Sequence, residues 1–392
     1  VLSILRRTTT IILITNFQGL ISGILVSYII ATNYPIDIQG YYYLLTSMVA
    51  WFIFCDLGIS HTLLYLSNNK KIDEGVGFYI FIYYVLSISI LLLITTINRE
   101  YLSSYGFIFL ISSLINTSCS IILHLYRSRN NEDTYWKLRI IEYTIYNSIN
   151  VTLLFIGYGI ESLLISTILS TCINITYIIR TKTIKNIGFS FTSWTLNISK
   201  TQFKCAIDYI SSFIGVKPLI PLIAPLLTLE AIGKLGLSLT LISILTSSLI
   251  TIYLSYINKL KSHETKKQKE KIKLVSSLMI FLYIFASIII LAIQSSIPIN
   301  LAHRLLNFND MIIILVYGLT ILGLNITSSY KRLFGIDNSW KTTISYNLII
   351  CISIYTALSH GYNYSYGFLV AYLYLIIMPV YHIIKHKLIR TS

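Results

Sequence analysis

Leu274–Ile293 reads LVSSLMIFLYIFASIIILAI, twenty residues without a charged side chain, directly after a stretch, Lys259–Lys273, that holds seven lysines. At about 1.5 Å rise per residue, a helix of this length crosses the roughly 30 Å hydrocarbon core of a bilayer. The switch from lysine-rich to uncharged sequence marks the point where a chain leaves water and enters lipid. Runs of the same kind recur over 11–31, 41–66, 76–97, 104–126, 140–160, 162–179, 205–228, 235–257, 311–329, 342–358 and 364–384. Together they make twelve expected spans.

Of the 392 residues, 55% are hydrophobic and 11% charged, against roughly 25% charged in soluble domains. This composition excludes a soluble enzyme, a nucleic-acid-binding domain and a secreted disulfide scaffold. The net charge of +15 is an orientation signal. With the N-terminus in the cytoplasm, 26 of the 30 Lys and Arg residues fall on the inner side, and only Arg99, Lys217, Lys234 and Arg304 lie elsewhere. The positive-inside rule then places both termini in the cytoplasm, and no nucleic acid is expected as a partner. The run that follows Arg6-Arg7 is too long for the core of a cleaved signal peptide and reads as an uncleaved first helix. Cys55, Cys119, Cys172, Cys205 and Cys351 sit in apolar segments without zinc or redox spacing, so they read as small buried apolar residues. No cofactor or metal pattern appears, and no catalytic residue is assigned.

The connection Arg180–Lys204 mixes basic residues with Phe189, Phe191, Trp194 and Phe203, which suits a linker lying along the membrane surface. It divides the chain into a six-helix lobe (1–180), a cytoplasmic linker (181–204) and a second six-helix lobe (205–392). Six is even, so the halves enter the membrane from the same side as parallel repeats. A weak echo supports this: Gln39-Gly40-Tyr41-Tyr42-Tyr43-Leu44 opens the second span and Ile232-Gly233-Lys234-Leu235-Gly236-Leu237 opens the eighth. Their first glycines are 193 residues apart.

The first helices of the two halves are the least regular. Span 1 carries Asn16, Gly19, Gly23 and Ser27, which at 100° per residue share one face to within about 60°. Span 7 carries Lys217, Pro218, Pro221 and Pro225, and prolines so close together interrupt a helix. Interrupted segments in matching positions of two halves point to a transporter's binding site; close packing of small residues is the alternative for span 1. Lys217 precedes a proline, so the helix is expected to break there and restart at Pro218. Its ammonium, beside the N-terminal end of the new helix, would suit an anion such as phosphate. Asp208, nine residues earlier, points to the opposite face. Asp56, inside span 2, either faces a cavity or bonds a neighbouring helix. Lys217, Asn16 and Asp56 are the candidate substrate-binding residues. Glu142 and Glu161 lie at segment ends and read as interfacial, as do the clustered tyrosines at 41–43 and at 362, 364 and 366.

Three stretches carry a resemblance: Gln39-Gly40-Tyr41-Tyr42-Tyr43 through Cys55-Asp56-Leu57-Gly58-Ile59-Ser60-His61; Ala224-Pro225-Leu226-Leu227 through Gly233-Lys234-Leu235-Gly236-Leu237-Ser238-Leu239; and Tyr126-Arg127 to Leu138-Arg139. In them the chain resembles the O-antigen flippase (Wzx-type) branch of the polysaccharide transporters, whose superfamily also contains multidrug exporters. The resemblance extends to hydropathy and layout over most of the chain. A departure is the near absence of outer loops, which leaves external sugar contacts to the span ends. The resemblance implies two six-helix lobes around a central cavity, and a non-enzymatic task in the bacterial inner membrane. That task is to move undecaprenyl-pyrophosphate-linked O-antigen repeat units from the cytoplasmic to the periplasmic leaflet. Implied partners are the lipid-linked oligosaccharide, membrane lipids, and polysaccharide polymerase and chain-length proteins. Two other readings stay open: a cation-coupled drug exporter of the same fold, and a membrane-embedded polymerase or glycosyltransferase.

Overall fold

The computed structural model describes residues 2–57, 72–128, 132–181, 188–192, 194, 216–260, 266–296, 306–333 and 339–370. They form helices α1 (Leu2–Asn33), α2 (Ile36–Phe54), α3 (Ile72–Ile97), α4 (Ser104–Ser128), α5 (Glu132–Ile156), α6 (Glu161–Thr181), α7 (Val216–Ile223), α8 (Leu229–Leu260), α9 (Lys266–Ser296), α10 (Phe308–Leu333) and α11 (Ser339–Ser359). A further helical run covers 364–370. Among the described residues there is no strand. Five stretches, Gly75–Ile97, Ser104–His124, Glu161–Thr181, Leu229–Ile250 and Glu270–Ala292, are long and apolar enough to cross a membrane. The chain is a multi-pass, all-helical membrane protein.

Two compact units emerge from the contacts, Val1–Phe213 with Ile220–Ile244, and Ile214–Leu219 with Leu245–Ser392. In the first, α5 and α6 form an antiparallel hairpin. Its turn needs left-handed backbone at Gly157 (φ 107°) and Gly159 (φ 53°), which glycine adopts without a Cβ clash. The Tyr34 hydroxyl closes the turn by donating to the Leu154 carbonyl and accepting from the Gly159 N–H.

The start of α2 lies against the start of α8 through bare backbone. A Cβ on Gly40 would overlap the Leu229 carbonyl, one on Gly236 would overlap the Tyr43 side chain, and one on Gly233 would meet Gly40 N and Ile36 O at 3.0 Å. Gln39 Nε2 donates to the Gly233 carbonyl at 3.0 Å. Positions 36 and 40 therefore meet 229 and 233, and each pair is related by the same offset of 193 residues. Equivalent positions that contact each other reciprocally are the mark of a two-fold pairing. The sequence echo is thus also a physical joint.

Helix α7 differs from expectation. Within it Lys217 is helical, whereas a break at Lys217 was expected. A proline biases the residue before it away from helical backbone but does not forbid it. Further on, Pro221 lies inside the helix and the chain tightens to a 3-10 turn over Ala224–Leu226. Pro225 cannot donate to the Pro221 carbonyl four residues back. Asn98 Nδ2 donates to that carbonyl instead, at 3.0 Å, and the Tyr101 hydroxyl donates to the Leu227 carbonyl at 3.0 Å.

In the second unit, Tyr253, Ile272, Met279, Tyr283, Leu322 and Ile326 pack into one apolar cluster across α8, α9 and α10. Polar contacts join it at two places: the Tyr283 hydroxyl donates to the Leu315 carbonyl at 2.8 Å, and Ser276 Oγ donates to the Tyr253 hydroxyl at 3.3 Å.

Candidate functional site

Polar residues recur at helical spacing on three helices of the first unit. On α4 they are Ser113, Asn116, Thr117 and Ser120. On α5 they are Arg139, Glu142, Tyr143 and Tyr146, and on α6 Thr167, Ser170 and Asn174. Residues three or four apart share a helix face, so each set forms a stripe. The three stripes converge with Thr46, Val49 and Ile53 of α2 on a cavity of about 340 Å³.

Glu142 organises the cavity wall. It is 5% exposed. One carboxylate oxygen accepts Arg139 Nη1 at 2.6 Å, and the other accepts Ser170 Oγ at 3.0 Å and Asn174 Nδ2 at 2.9 Å. Asn174 Nδ2 also reaches Asn116 Oδ1 at 2.9 Å, which links α4, α5 and α6. The Arg139 guanidinium lies over the Tyr143 and Tyr135 rings, 5.3 and 5.9 Å from their centroids. A buried charge is costly unless paired and hydrogen-bonded; here the two charges pair, and the second Glu142 oxygen is taken by Ser170 and Asn174. Arg139 and Glu142 are the charged members of the cavity lining, and together they are neutral. The remaining wall is mostly apolar surface that carries hydroxyl, phenol and amide groups able to exchange hydrogen bonds with a guest. Among the described residues, no three His, Cys, Asp or Glu side chains come together as a metal site would require.

Glu142 corrects the sequence reading, which placed it at the interface. The expected span 5 starts at residue 140, whereas α5 extends back to Glu132. Tyr41, Tyr42 and Tyr43 are also interior: their hydroxyls contact Ser103, Asn150 and Ser27, respectively. Tyr364 is buried too, whereas Tyr362 and Tyr366 are exposed. Cys55 and Cys119 are buried as expected, but Cys172 is exposed.

Asp56 is buried in a turn that ends α2 earlier than the expected span, with Leu57 in left-handed backbone (φ 41°). Its carbonyl accepts the Tyr79 hydroxyl of α3, and it is not among the cavity-lining residues. The backbones of Asn16 and Lys217 are helical, in α1 and α7; their side chains, like Asp208, lie outside the described residues. The linker aromatics Phe189, Phe191 and Trp194 gather around Phe78 of α3 at 5.0–5.5 Å between ring centroids. The signal that would have found the cavity was in the sequence, as the polar spacing on α4 and α6 and the Arg139-x-x-Glu142 pair. Charges taken one by one hide these stripes.

No family model matches the sequence, and no curated protein matches it. Solved structures do. A multidrug resistance MATE family transporter of the MOP superfamily, in an inward-facing conformation, aligns over 95% of this chain and 95% of its own with a TM-score of 0.63 and 11% identity. The MATE multidrug transporter DinF-BH, solved in complex with R6G, aligns over 98% and 95% with a TM-score of 0.58 and 12% identity. A MOP superfamily transporter from Pyrococcus furiosus, described as having a binding pocket of reverse polarity that suggests a different function, aligns over 93% and 90% with a TM-score of 0.51 and 13% identity. The chain has the fold of these transporters.

Proposed function

We propose that a chain with this fold is an alternating-access transporter of the MOP superfamily, and that its cargo is a lipid-linked oligosaccharide flipped from the cytoplasmic to the periplasmic leaflet of a bacterial inner membrane. The observation that carries the choice of cargo is the cavity in the first unit, which sets hydroxyl, phenol and amide groups among apolar surface and is electrically neutral because Arg139 and Glu142 cancel. A lipophilic cation gains from an unpaired carboxylate, whereas a saccharide gains from hydroxyls, amides and aromatic faces. The resemblance in the Gly-Tyr-Tyr and Asp-Leu-Gly stretches supports the same cargo. On this reading Lys217 takes the pyrophosphate, Asn16 and Asp56 are the other expected substrate contacts, and the polyprenyl tail stays in lipid.

Deleting the gene tests this. Lipid-linked repeat units should be made normally, remain in the inner leaflet, and leave the surface depleted of polysaccharide. Failure to make the repeat unit would favour the enzyme reading. Lys217→Gln should reach the membrane at wild-type levels and lose most transport, with Lys217→Arg keeping a fraction; near-normal surface polysaccharide from Lys217→Gln would remove Lys217 from the site. A single cysteine at Lys266 should be labelled from the cytoplasm and one at Asn300 from outside, and labelling of both from one side would break the twelve-span topology.

The structural neighbours described as multidrug transporters support a second reading, a drug exporter. Raised resistance to lipophilic cations on expression in a pump-deficient host, with surface polysaccharide unaffected by deletion, would select it.

A further inference from the structure

We infer that the cavity between α2, α4, α5 and α6 is a subsite for a single neutral pyranose residue of the cargo, bound through Ser113, Asn116 and Ser120 of α4 against the Tyr143 side of α5; the inference rests on the flippase reading. Three observations carry it.

The first is unused hydrogen-bonding capacity. Most hydroxyls on these helices are spent on their own backbone, as when Thr117 Oγ1 donates to the Ser113 carbonyl at 2.8 Å and Ser118 Oγ to the Leu114 carbonyl at 2.8 Å. Among the described residues, the Ser113 and Ser120 hydroxyls and Asn116 Nδ2 have no such partner, and all three residues line the cavity. Asn116 Oδ1 is held by Asn174, which fixes the amide so that Nδ2 is the group left over. Ser113 is 4% exposed. In a lipid-embedded helix bundle an unsatisfied polar group is costly, so these groups need water or a guest.

The second observation is size. About 340 Å³ is at the lower end of small-molecule sites, which run to roughly 300–1,000 Å³. One sugar ring and its substituents fit this space, and a whole repeat unit does not. The third is charge. With Glu142 engaged by Arg139, Ser170 and Asn174, no carboxylate is left to attract a cation. Arg139 already has its counter-ion, so a neutral ring is preferred to an acidic one. A ring presenting several hydroxyls replaces the waters on Ser113, Asn116 and Ser120 one for one, which keeps the exchange near balance enthalpically while releasing ordered water.

The test uses the purified full-length protein in lipid nanodiscs, with thermal unfolding followed against methyl glucoside, methyl N-acetylglucosaminide, methyl glucuronide and tetraphenylphosphonium. A neutral glycoside should raise the unfolding temperature in proportion to occupancy, and the glucuronide should do so less. Ser113→Ala and Ser120→Ala should each weaken the apparent affinity about five- to tenfold, the loss expected for one hydrogen bond. Ser120 makes no bond within the described residues, so its variant tests binding without disturbing the wall. Ser89→Ala, on an exposed face of α3, should change nothing. Equal glycoside binding by Ser113→Ala, Ser120→Ala and wild type would overturn the assignment, as would no response to any glycoside or a response to tetraphenylphosphonium alone. The two levels separate in cells. If deletion blocks translocation but Ser113→Ala/Ser120→Ala translocates at the wild-type rate, the subsite falls and the flippase reading stands. If glycosides bind in the cavity but deletion leaves surface polysaccharide intact, the flippase reading falls and the subsite stands.

Discussion

The α4–α5–α6 group of the first unit and the α8–α9–α10 cluster of the second are both bundles of helices but are held by different chemistry. The first group is joined by a chain of polar contacts from Asn116 through Asn174 and Glu142 to Arg139. The second is mainly apolar side chains, with the Tyr283–Leu315 and Ser276–Tyr253 bonds as isolated polar contacts. Among the described residues, every buried polar side chain except Thr246 and Ser365 belongs to the first unit. Lipid is as apolar as leucine, so burying leucine against leucine inside a membrane gains only packing. Buried polar groups there are expensive and are kept where they fix a geometry or serve a passing polar guest. Among the described residues, the contrast concentrates the buried polar groups in the first unit, where the proposed sugar subsite lies.

The largest expected effect tests whether the polar joint is coupled. Glu142→Ala leaves Arg139 buried without its counter-ion and should cost about 3–5 kcal/mol, seen as a steep loss of monodisperse protein on heating in detergent. The double variant Arg139→Leu/Glu142→Leu should recover much of that loss, and simple additivity of the two single variants would dissolve the contrast between the groups.

Next comes the backbone joint of the first unit. Gly40→Ala places a Cβ on the Leu229 carbonyl and should cost about 1–3 kcal/mol through overpacking. Gly323→Ala, where a Cβ meets nothing, should be neutral or slightly stabilising because a helix interior favours alanine.

Asn98→Ala removes the donor that replaces the missing proline N–H and should cost about 1–3 kcal/mol, measured in the same assay. An unchanged midpoint would mean that the Pro221 carbonyl finds another donor. The smallest effect is in the apolar group, where Tyr283→Phe deletes one hydroxyl and should cost about 0.5–1.5 kcal/mol. A larger loss from Tyr283→Phe than from Asn98→Ala would reverse the comparison.

Much of the fold was legible in the sequence. Described helix lies in every expected span, from Ile11–Ala31 to the start of 364–384, because an uncharged run such as Leu274–Ile293 has few alternatives to a helix in lipid. The offset of 193 between Gly40 and Gly233 was visible as an echo, but not that the two motifs meet. The cavity was only half legible. Ser113, Asn116 and Ser120 share a face by spacing alone, yet nothing in spacing says whether a polar face turns toward lipid, a neighbouring helix or a void. Glu142 was misread because a charge near a span end is ordinarily interfacial, and only its neighbours on α6 make burial tolerable.

What the sequence determined by itself is the class of molecule and the places where helices form, since these follow from a local term, the transfer of apolar side chains into lipid. Of the three prolines in span 7, Pro225 lies where α7 gives way to a 3-10 turn, while Pro218 and Pro221 lie within the helix. The tertiary structure alone decided which polar groups are satisfied and by whom. Asn98 caps a carbonyl 123 residues away, Gln39 bonds one 194 residues away, and Asn174 holds Glu142 across 32 residues. Such pairings depend on the relative placement of whole helices, and a helix's own sequence fixes its faces but not which helix each face will meet.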